Sequence, residues 1–219
     1  MNIACETIDL GEIEYAEALD VQKRYVNRVI SGEPHKLIFC QHPKVITIGR
    51  MSKKEHLFYS EEEYAQKGFT VYSVDRGGDV TLHAPGQQII YPIFHLSQLH
   101  LKDLHRYIRK LEAVMIDTLR QFDIDGRRHE TNTGVWVHEE KIISMGIGVR
   151  KWVSFHGIGL NVSTDLKLFS DIKPCGLDVQ MTSIEKITKK TVDYKQLKDT
   201  IMDGFSKQFS FTIRNAQYV

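Results

Sequence analysis

Cysteines are few, and they follow no metal-binding or disulfide pattern. The 219 residues include three cysteines, an odd number, widely spaced and without a CxxC pair. Disulfide frameworks in small secreted proteins use even numbers of cysteines, and structural zinc sites use closely paired ones. A cysteine-built scaffold is therefore excluded, no metal is expected, and a reducing cytoplasm is the expected compartment.

Long apolar runs and an excess of one charge are also missing. No apolar run approaches the roughly 18 residues that a membrane-spanning helix needs. The first residues, MNIACETIDLGEIE, have neither the apolar core of a secretory signal nor the arginines of a transit peptide. The formal net charge is +1, which gives no general attraction to nucleic acid or to a membrane. We therefore expect a cytoplasmic protein without such partners, folded as a single domain over residues 1–219.

Hydrophobic periodicity predicts more strand pairs than strand–helix–strand units. Apolar residues at helical spacing predict long helices over Ile13 to Ile30, Leu104 to Phe122 and Tyr194 to Phe209, and a short one over Glu61 to Gln66. Strands are predicted over Lys36 to Cys40, Val45 to Ile48, Phe69 to Val74, Val80 to His83, Gln88 to Phe94, Gly134 to His138, Lys141 to Val149 and Trp152 to Val162. This order favours the α+β class, with a mixed, largely antiparallel sheet and flanking helices.

One stretch, RGGDVTLHAPGQQIIYP from Arg76 to Pro92, gathers polar groups between apolar strands. The Gly77-Gly78 pair allows the backbone to turn sharply or to approach a ligand closely. Apolar and polar residues then alternate from Val80 to His83, which predicts a strand with one polar face. Two interpretations remain open: an ordinary hairpin with a histidine on its wet face, or one wall of a small-molecule pocket.

A cysteine and a lysine further along the chain are candidates for chemistry. Cys175 lies in KPCG, where the proline before it and the glycine after it place the thiol on a bend. Lys141 begins the strand KIISMGIGV, and a lysine at a strand edge is usually a solvated charge. A reactive thiol needs a cationic or dipolar setting, so a structural role stays open for both residues. Cys5 and Cys40 are interpreted as structural.

Glycines recur inside the two strands that begin near Lys141 and Trp152. Glycine inside a strand often marks the close approach of a ligand or of another backbone. Two histidines, His83 and His156, match no zinc signature. The segment GGDVTLHAPG lacks the Gly-Lys-Ser/Thr ending of a phosphate loop. The sequence therefore predicts no metal and no cofactor.

Together, three stretches resemble the octanoyl-[acyl-carrier-protein]:protein octanoyltransferases, also called lipoyl(octanoyl) transferases. They are RGGDVTLHAPGQQIIYP, KIISMGIGVRKWVSFHGIGLNV and DLKLFSDIKPCGL. The resemblance implies a fold similar to the catalytic domain of biotin and lipoate protein ligases. It also implies transfer of an octanoyl group from octanoyl-acyl carrier protein to a lysine of a lipoyl domain. The implied acceptors are the lipoyl domains of 2-oxoacid dehydrogenase complexes and the glycine cleavage H protein.

The resemblance also implies roles for individual residues. Cys175 matches the cysteine that carries the acyl thioester, and Lys141 matches the lysine paired with it. The residues that match the segments lining the acyl substrate's site are Arg76, Gly77, Gly78, Asp79, Val80, Thr81, Leu82, His83, Ser144, Met145, Gly146, Gly157, Ile158 and Gly159. Two alternatives stay open, an ATP-dependent lipoate or biotin protein ligase of the same fold and a non-catalytic module that binds lipoyl domains.

Overall fold

The computed structural model describes residues 3–173 and 179–216, and within them ten strands form two sheets. The strands are β1 (Ile3–Glu12), β2 (His35–Gln41), β3 (Val45–Ile48), β4 (Thr70–Ser73), β5 (Val80–His83), β6 (Gln87–Ile93), β7 (Val135–Val137), β8 (Glu140–Arg150), β9 (Val153–Asn161) and β10 (Phe211–Asn215). The helices are α1 (Tyr15–Ile30), α2 (Glu61–Gln66), α3 (Leu104–Arg120), α4 (Ile184–Thr188) and α5 (Tyr194–Phe209). Short 3-10 turns cover Lys54–His56 and Leu166–Asp171.

The larger sheet has seven strands in the order β10-β1-β2-β6-β9-β8-β7. Strand β1 pairs in parallel with both of its neighbours, whereas every pairing from β2 to β7 is antiparallel. The smaller sheet has the order β4-β3-β5, with one parallel and one antiparallel pairing. The predicted α+β class with a mixed, largely antiparallel sheet is therefore confirmed.

Helices cover both faces of the larger sheet. Helices α3 and α5 bury apolar stripes, including Leu111 and Leu197, against one face. Helix α1 buries Val21 and Val26 against the other face. Each fully buried side chain of this kind stabilises the fold by about 1.5–3 kcal/mol. The sheet is therefore a rigid central layer, and the strands that carry the candidate site lie inside it.

Two strands that periodicity did not predict, β1 and β10, form one end of the larger sheet. Charged residues such as Glu6 interrupt the apolar pattern of β1, and Glu6 forms an ion pair with the buried Nζ of Lys36 on β2 at 2.5 Å. Strand β1 also delays the start of α1, because the N–H of Ile13 still bonds to the carbonyl of Gln41 at 3.0 Å. Helix α1 thus begins at Tyr15 and not at Ile13.

Side-chain alternation leaves a trough on the face of β8 and β9 that is turned away from α3 and α5. On β8, Met145 packs against the core under α3 and α5, so its neighbours Ser144 and Gly146 face the opposite way. Their partners on β9 are Gly159 and Gly157, respectively. Four small residues therefore lie side by side across two hydrogen-bonded strands, and the smaller sheet covers them.

Candidate active site

A narrow cavity of about 50 Å³ lies between the trough of the larger sheet and strand β5 of the smaller one. Small-molecule sites in proteins have volumes of about 300–1,000 Å³, so this cavity is smaller than a typical ligand site. All of the predicted substrate-site residues except Gly77 and Leu82 line it: Arg76, Gly78, Asp79, Val80, Thr81, His83, Ser144, Met145, Gly146, Gly157, Ile158 and Gly159. Of the two interpretations of the 76–92 stretch, the cavity wall is the one that the structure has.

Two of the predicted residues lie behind the cavity wall. Leu82 belongs to the apolar cluster of the smaller sheet, because alternation along β5 turns it away from Thr81 and His83. The N–H of Gly77 donates to the carbonyl of Ile147 at 2.9 Å, which fastens the loop to β8. Leu82 therefore lies away from this cavity, its assignment to the substrate site stays a prediction, and Gly77 holds the loop in place.

Arg76 braces the loop that covers the trough. Its side chain is 7% exposed. Nη2 donates to the carbonyl and the hydroxyl of Thr47 at 2.8 and 2.9 Å, and Nη1 donates to the carbonyl of Gly77 at 3.1 Å. A β-carbon on Gly146 would lie 3.0 Å from the Gly77 carbonyl oxygen and 3.1 Å from Arg76 Cδ. Glycine at position 146 thus admits this loop.

Two tyrosines that the sequence pattern did not single out also line the cavity. The Tyr15 ring stacks on that of His83, with centroids 6.2 Å apart and planes 12° apart. The Tyr91 hydroxyl donates to Nε2 of His42 at 2.7 Å, because Nδ1 of His42 must donate to the carbonyl of Ile13 at 2.8 Å. Burial raises the pKa of Tyr15 to about 12 and that of Tyr91 well above its usual range. Both residues lie in apolar stripes, so periodicity assigned them to the core.

His156 also lines the cavity and was missed as a site residue. Alternation from Gly157 would place its side chain on the opposite face of β9, but its φ of 55° departs from extended backbone, and the residue lines the cavity. Its N–H donates to Oε1 of Gln22 at 2.8 Å, whereas Nε2 is buried without a hydrogen-bond partner in the described chain. Burial, with the charge of Arg76 as a smaller cause, lowers its pKa to about 4.

His83 stands on the cavity wall as a neutral imidazole. Burial is the largest cause that lowers its pKa to about 3, and the charges of His42, Arg76 and His156 add to it. Its Nδ1 bonds to Oε1 of Gln87 at 3.0 Å, which opposes the shift without reversing it. At neutral pH the ring therefore carries no charge, and it can serve only as a hydrogen-bonding group.

Lys141, at the start of β8, is 2% exposed. The reading of this lysine as a solvated edge charge is therefore wrong. Its Nζ sits over the ring of Trp136, 5.4 Å from the centroid, a position that favours a cation. Gly134 packs against its stem, since a β-carbon there would lie 2.8 Å from Lys141 Cε. Oε1 of the buried Glu112 accepts from the Gly134 N–H at 3.1 Å and fixes this contact.

The predicted nucleophile, Cys175, lies outside the described residues. The segment before it is tied to the cavity loop, because the N–H of Lys173 donates to the carbonyl of His56 at 3.0 Å, and His56 Nδ1 lies 2.6 Å from Oδ2 of Asp79. The other two cysteines, Cys5 and Cys40, are buried, and burial raises the pKa of both thiols. Both are therefore held as inert thiols, which suits a structural role.

Residues 3–173 and 179–216 contain no cluster of three histidine, cysteine or acidic side chains able to bind a metal ion. Within the same residues, every helix is too short or too polar to cross a membrane.

Comparison with known sequences places this site within a described family. Residues 14–206 match the family described as the lipoyl protein ligase A/B catalytic domain. The chain is 43% identical to an octanoyltransferase of Syntrophobacter fumaroxidans, over 89% of this chain and 86% of that protein. It is also 43% identical to an octanoyltransferase of Caldicellulosiruptor bescii, over 91% of this chain and 89% of that protein.

Comparison with solved structures confirms the expected fold. A lipoate-protein ligase A bound with ATP has a TM-score of 0.81 at 17% identity, over 100% of this chain and 90% of that one. A lipoate protein ligase from Thermoplasma acidophilum, solved in a study of that ligase and its E2 lipoyl domain, has a TM-score of 0.79 at 16% identity, over 100% and 88%. A biotin protein ligase from Aquifex aeolicus in complex with biotin and ATP has a TM-score of 0.59 at 16% identity, over 94% of this chain and 70% of that one.

Proposed function

Because the chain belongs to the lipoyl protein ligase A/B catalytic-domain family and, within it, to the octanoyltransferases, we propose that it moves an octanoyl group from octanoyl-acyl carrier protein to a lysine of a lipoyl domain. The observation that carries the proposal is the cavity between the sheets. Its walls come from the 76–83, 144–146 and 157–159 segments, the segments in which the resemblance lies. A narrow, largely apolar cavity suits a medium acyl chain, since each buried methylene contributes about 0.8 kcal/mol to binding.

The first half of the reaction loads the octanoyl group onto the enzyme. The Cys175 thiolate attacks the carbonyl carbon of the donor thioester. A new carbon–sulfur bond forms, the bond to the carrier's sulfur breaks, and the carrier takes the proton of the Lys141 ammonium and leaves as a thiol. This covalent intermediate holds the acyl group while one protein partner leaves and the other arrives. The raised pKa values of Cys5 and Cys40 make those thiols unsuitable for the same step.

Lys141 has a role in each half of the reaction. A free thiol, with a pKa of about 8.5, is mostly protonated at neutral pH, and a nearby ammonium favours the thiolate. Lys141 has given its proton to the departing carrier by the time Cys175 is acylated, so it can take a proton from the ammonium of the acceptor lysine. The amine then attacks the acyl carbon, the carbon–nitrogen bond forms, and the Cys175 sulfur leaves with the second proton of the nitrogen as a thiol. Burial of Lys141 over Trp136 supports this assignment, because it holds the side chain in one place.

The remaining parts of the proposal follow from the same chemistry. The acceptors are the lipoyl domains of 2-oxoacid dehydrogenase complexes and the glycine cleavage H protein. The enzyme acts on them as a single domain in the cytoplasm. Neither a cofactor nor a metal enters these steps, because the donor already carries an activated thioester. Arg76, Thr81 and Ser144 act as parts of the acyl-chain wall.

The experiment that tests this function is intact mass spectrometry of the protein after incubation with octanoyl-acyl carrier protein. Wild type should gain one octanoyl group and pass it to an added lipoyl domain. Cys175→Ala should gain none and should lose transfer, whereas Lys141→Ala should acylate slowly at neutral pH. Full transfer by Cys175→Ala would overturn the covalent step, and normal rates of both steps in Lys141→Ala would overturn the role of the lysine.

A parallel reaction separates transfer from ligation. A ligase of the same fold activates a free acid with ATP, so the protein is also given octanoate, ATP and the lipoyl domain. We expect octanoylation from the carrier-bound donor alone. Octanoylation that requires ATP and accepts free octanoate would support the ligase alternative, and binding of the lipoyl domain without turnover would support the non-catalytic one.

A further inference from the structure

We propose that His83 presents an unprotonated Nε2 to the cavity and accepts a hydrogen bond there from the attacking amine, and that Gln87 and Asn161 are the positioning residues that hold this tautomer. The inference rests on the proposed function for the identity of the amine. The tautomer itself rests on hydrogen bonds between described residues, so the two parts can fail separately.

A chain of four hydrogen-bonding groups fixes the ring of His83. The carbonyl of Thr182 can only accept, so the group facing it at 3.0 Å is Nδ2 of Asn161. Oδ1 of Asn161 therefore faces Gln87 and accepts from its Nε2 at 2.9 Å. The same Nε2 also donates to the carbonyl of Leu82 at 3.1 Å, a second acceptor that sets the Gln87 amide the same way round.

The orientation of Gln87 decides which nitrogen of His83 carries the proton. Oε1 of Gln87 is left facing Nδ1 of His83 at 3.0 Å, and an amide oxygen can only accept. Nδ1 must therefore be the protonated nitrogen, and in the neutral ring Nε2 has a free lone pair. The hydrogen bond described for this ring is made by Nδ1, and His83 lines the cavity.

This tautomer limits what His83 can do. Nε2 without a proton cannot donate to an acyl carbonyl or to an oxyanion, so His83 is excluded as an oxyanion donor. The depressed pKa of about 3 also makes it too weak a base to take a proton from an ammonium at neutral pH. What remains is a hydrogen-bond acceptor on the wall of the reaction cavity, suited to an N–H group.

The attacking amine is the N–H donor that the reaction brings to this wall. When the neutral amine attacks, its lone pair forms the carbon–nitrogen bond, the carbon–sulfur bond breaks, and one proton leaves the nitrogen. A second N–H is free to donate to Nε2 of His83, which turns the lone pair toward the acyl carbon. The proton that leaves goes to the departing Cys175 sulfur, because Lys141 already holds the first proton. His83 thus orients the amine and keeps its own protonation state.

The groups packed around the imidazole keep it neutral. Tyr15 stacks on one face, His42 meets it edge-on with centroids 5.9 Å apart, and the charges of Arg76 and His156 act against its protonation. The Nδ1–Cε1 edge lies beside Gly159, since a β-carbon there would be 3.6 Å from both atoms. The nitrogens of His42 bond to Ile13 and Tyr91, so none of these contacts is a hydrogen bond to Nε2 of His83.

Nitrogen-15 NMR of histidine-labelled protein reads the tautomer directly, with His83→Asn used to assign the signal. In wild type we expect a protonated Nδ1 and a bare Nε2 from pH 8 down to pH 5. A proton on Nε2, or titration of this ring near its ordinary pKa of about 6.5, would overturn the inference. Because this measurement uses the unmodified enzyme without substrate, it remains valid whatever the reaction is.

The variant Gln87→Met tests whether the tautomer matters. Methionine has a similar size but cannot accept from Nδ1, so both tautomers of His83 should become populated. Loss of one positioning hydrogen bond should lower kcat for transfer to the lipoyl domain about tenfold. Acquisition of the octanoyl group from the carrier should change little, because the amine takes no part in it.

The matched control is Gln88→Met. Gln88 is also buried, and its Nε2 donates to the carbonyls of Cys40 and Ile89 at 3.2 and 3.1 Å, so it is not connected to His83. This variant should keep the wild-type NMR signal and the wild-type transfer rate per folded molecule. A changed tautomer in Gln87→Met with an unchanged transfer step would overturn the role of His83. A wild-type enzyme that never transfers octanoyl would instead overturn the proposed function and leave the tautomer standing.

Discussion

Two glycines on strand β9 have opposite surroundings, and the same substitution should therefore have opposite effects. A β-carbon on Gly157 would lie 2.3 Å from the carbonyl oxygen of Ile90 and 2.6 Å from Cδ of Pro92, both on the neighbouring strand β6. A β-carbon on Gly159 would lie 3.4 Å from Oε1 of Gln87, an ordinary van der Waals distance. Both glycines have backbone angles that alanine can adopt, so the difference comes from contacts alone.

The expected magnitudes follow from these distances. Gly157→Ala has to separate two hydrogen-bonded central strands, because the nearest atom belongs to backbone. Overpacking of this kind costs about 1–3 kcal/mol. Gly159→Ala meets no obstacle and reduces the freedom of the unfolded chain, which stabilises by about 0.4–1 kcal/mol. The two variants should differ by at least about 1.5 kcal/mol, or at least about 3 °C in Tm for a chain of this length.

Urea unfolding of the two variants beside wild type measures the difference. The midpoint should fall for Gly157→Ala and stay or rise for Gly159→Ala, with the slope of the unfolding free energy against urea unchanged. Equal midpoints for the two variants would refute the reasoning. It would mean that β6 and β9 can move apart at no cost, and the trough would then not be a rigid surface.

Two further predictions concern the buried histidines and Gly134. The pKa of about 4 for His35 and His156 lies below the value of about 6.5 in the unfolded chain, so the unfolded state binds more protons between these limits. The contribution of these two histidines to stability should be fully present above pH 6.5 and should be lost as the pH falls toward 4. A Tm that is constant from pH 6.5 to pH 5, where carboxylates stay ionised, would contradict this. Gly134→Ala should destabilise by more than Gly32→Ala. Both glycines have positive φ, but a β-carbon at position 134 would meet the Ile143 carbonyl oxygen and Lys141 Cε, whereas position 32 has open space. The urea midpoints of the two variants test this.

The parts of the fold that the sequence predicts best are those in which local pattern and tertiary packing agree. The bounds of α2, β5 and α5 match the predicted ones, since each has a clear period and a clear stop. Strands β1 and β10 pair with each other in parallel, although they lie near opposite ends of the sequence. A pairing between such distant segments cannot be predicted from local sequence. The charged residues of β1 also interrupt the alternation of apolar residues that would predict a strand.

The candidate site shows the same division between local and distant causes. The polar face of β5 is a local pattern, so Thr81 and His83 could be predicted. Tyr91 lies in an apolar run, where an aromatic residue is expected in the core, and its place on the cavity wall depends on distant strands. His156 lines the cavity and has a positive φ inside a strand, a backbone state for which histidine gives no clear signal.

The glycines of the trough show that a sequence pattern can have a physical cause other than the ligand contact it suggests. Glycine in a strand indicates that something comes close, either a ligand or another backbone. At Gly146 and Gly157 the close neighbours are the Gly77 carbonyl and the Ile90 carbonyl, so the space is filled by the protein itself. The width of the cavity is then set by the loop that Arg76 fastens to Thr47, and not by the missing side chains below it. A change in acyl-chain preference should accordingly be sought in Arg76 and its hydrogen bonds rather than in the glycines.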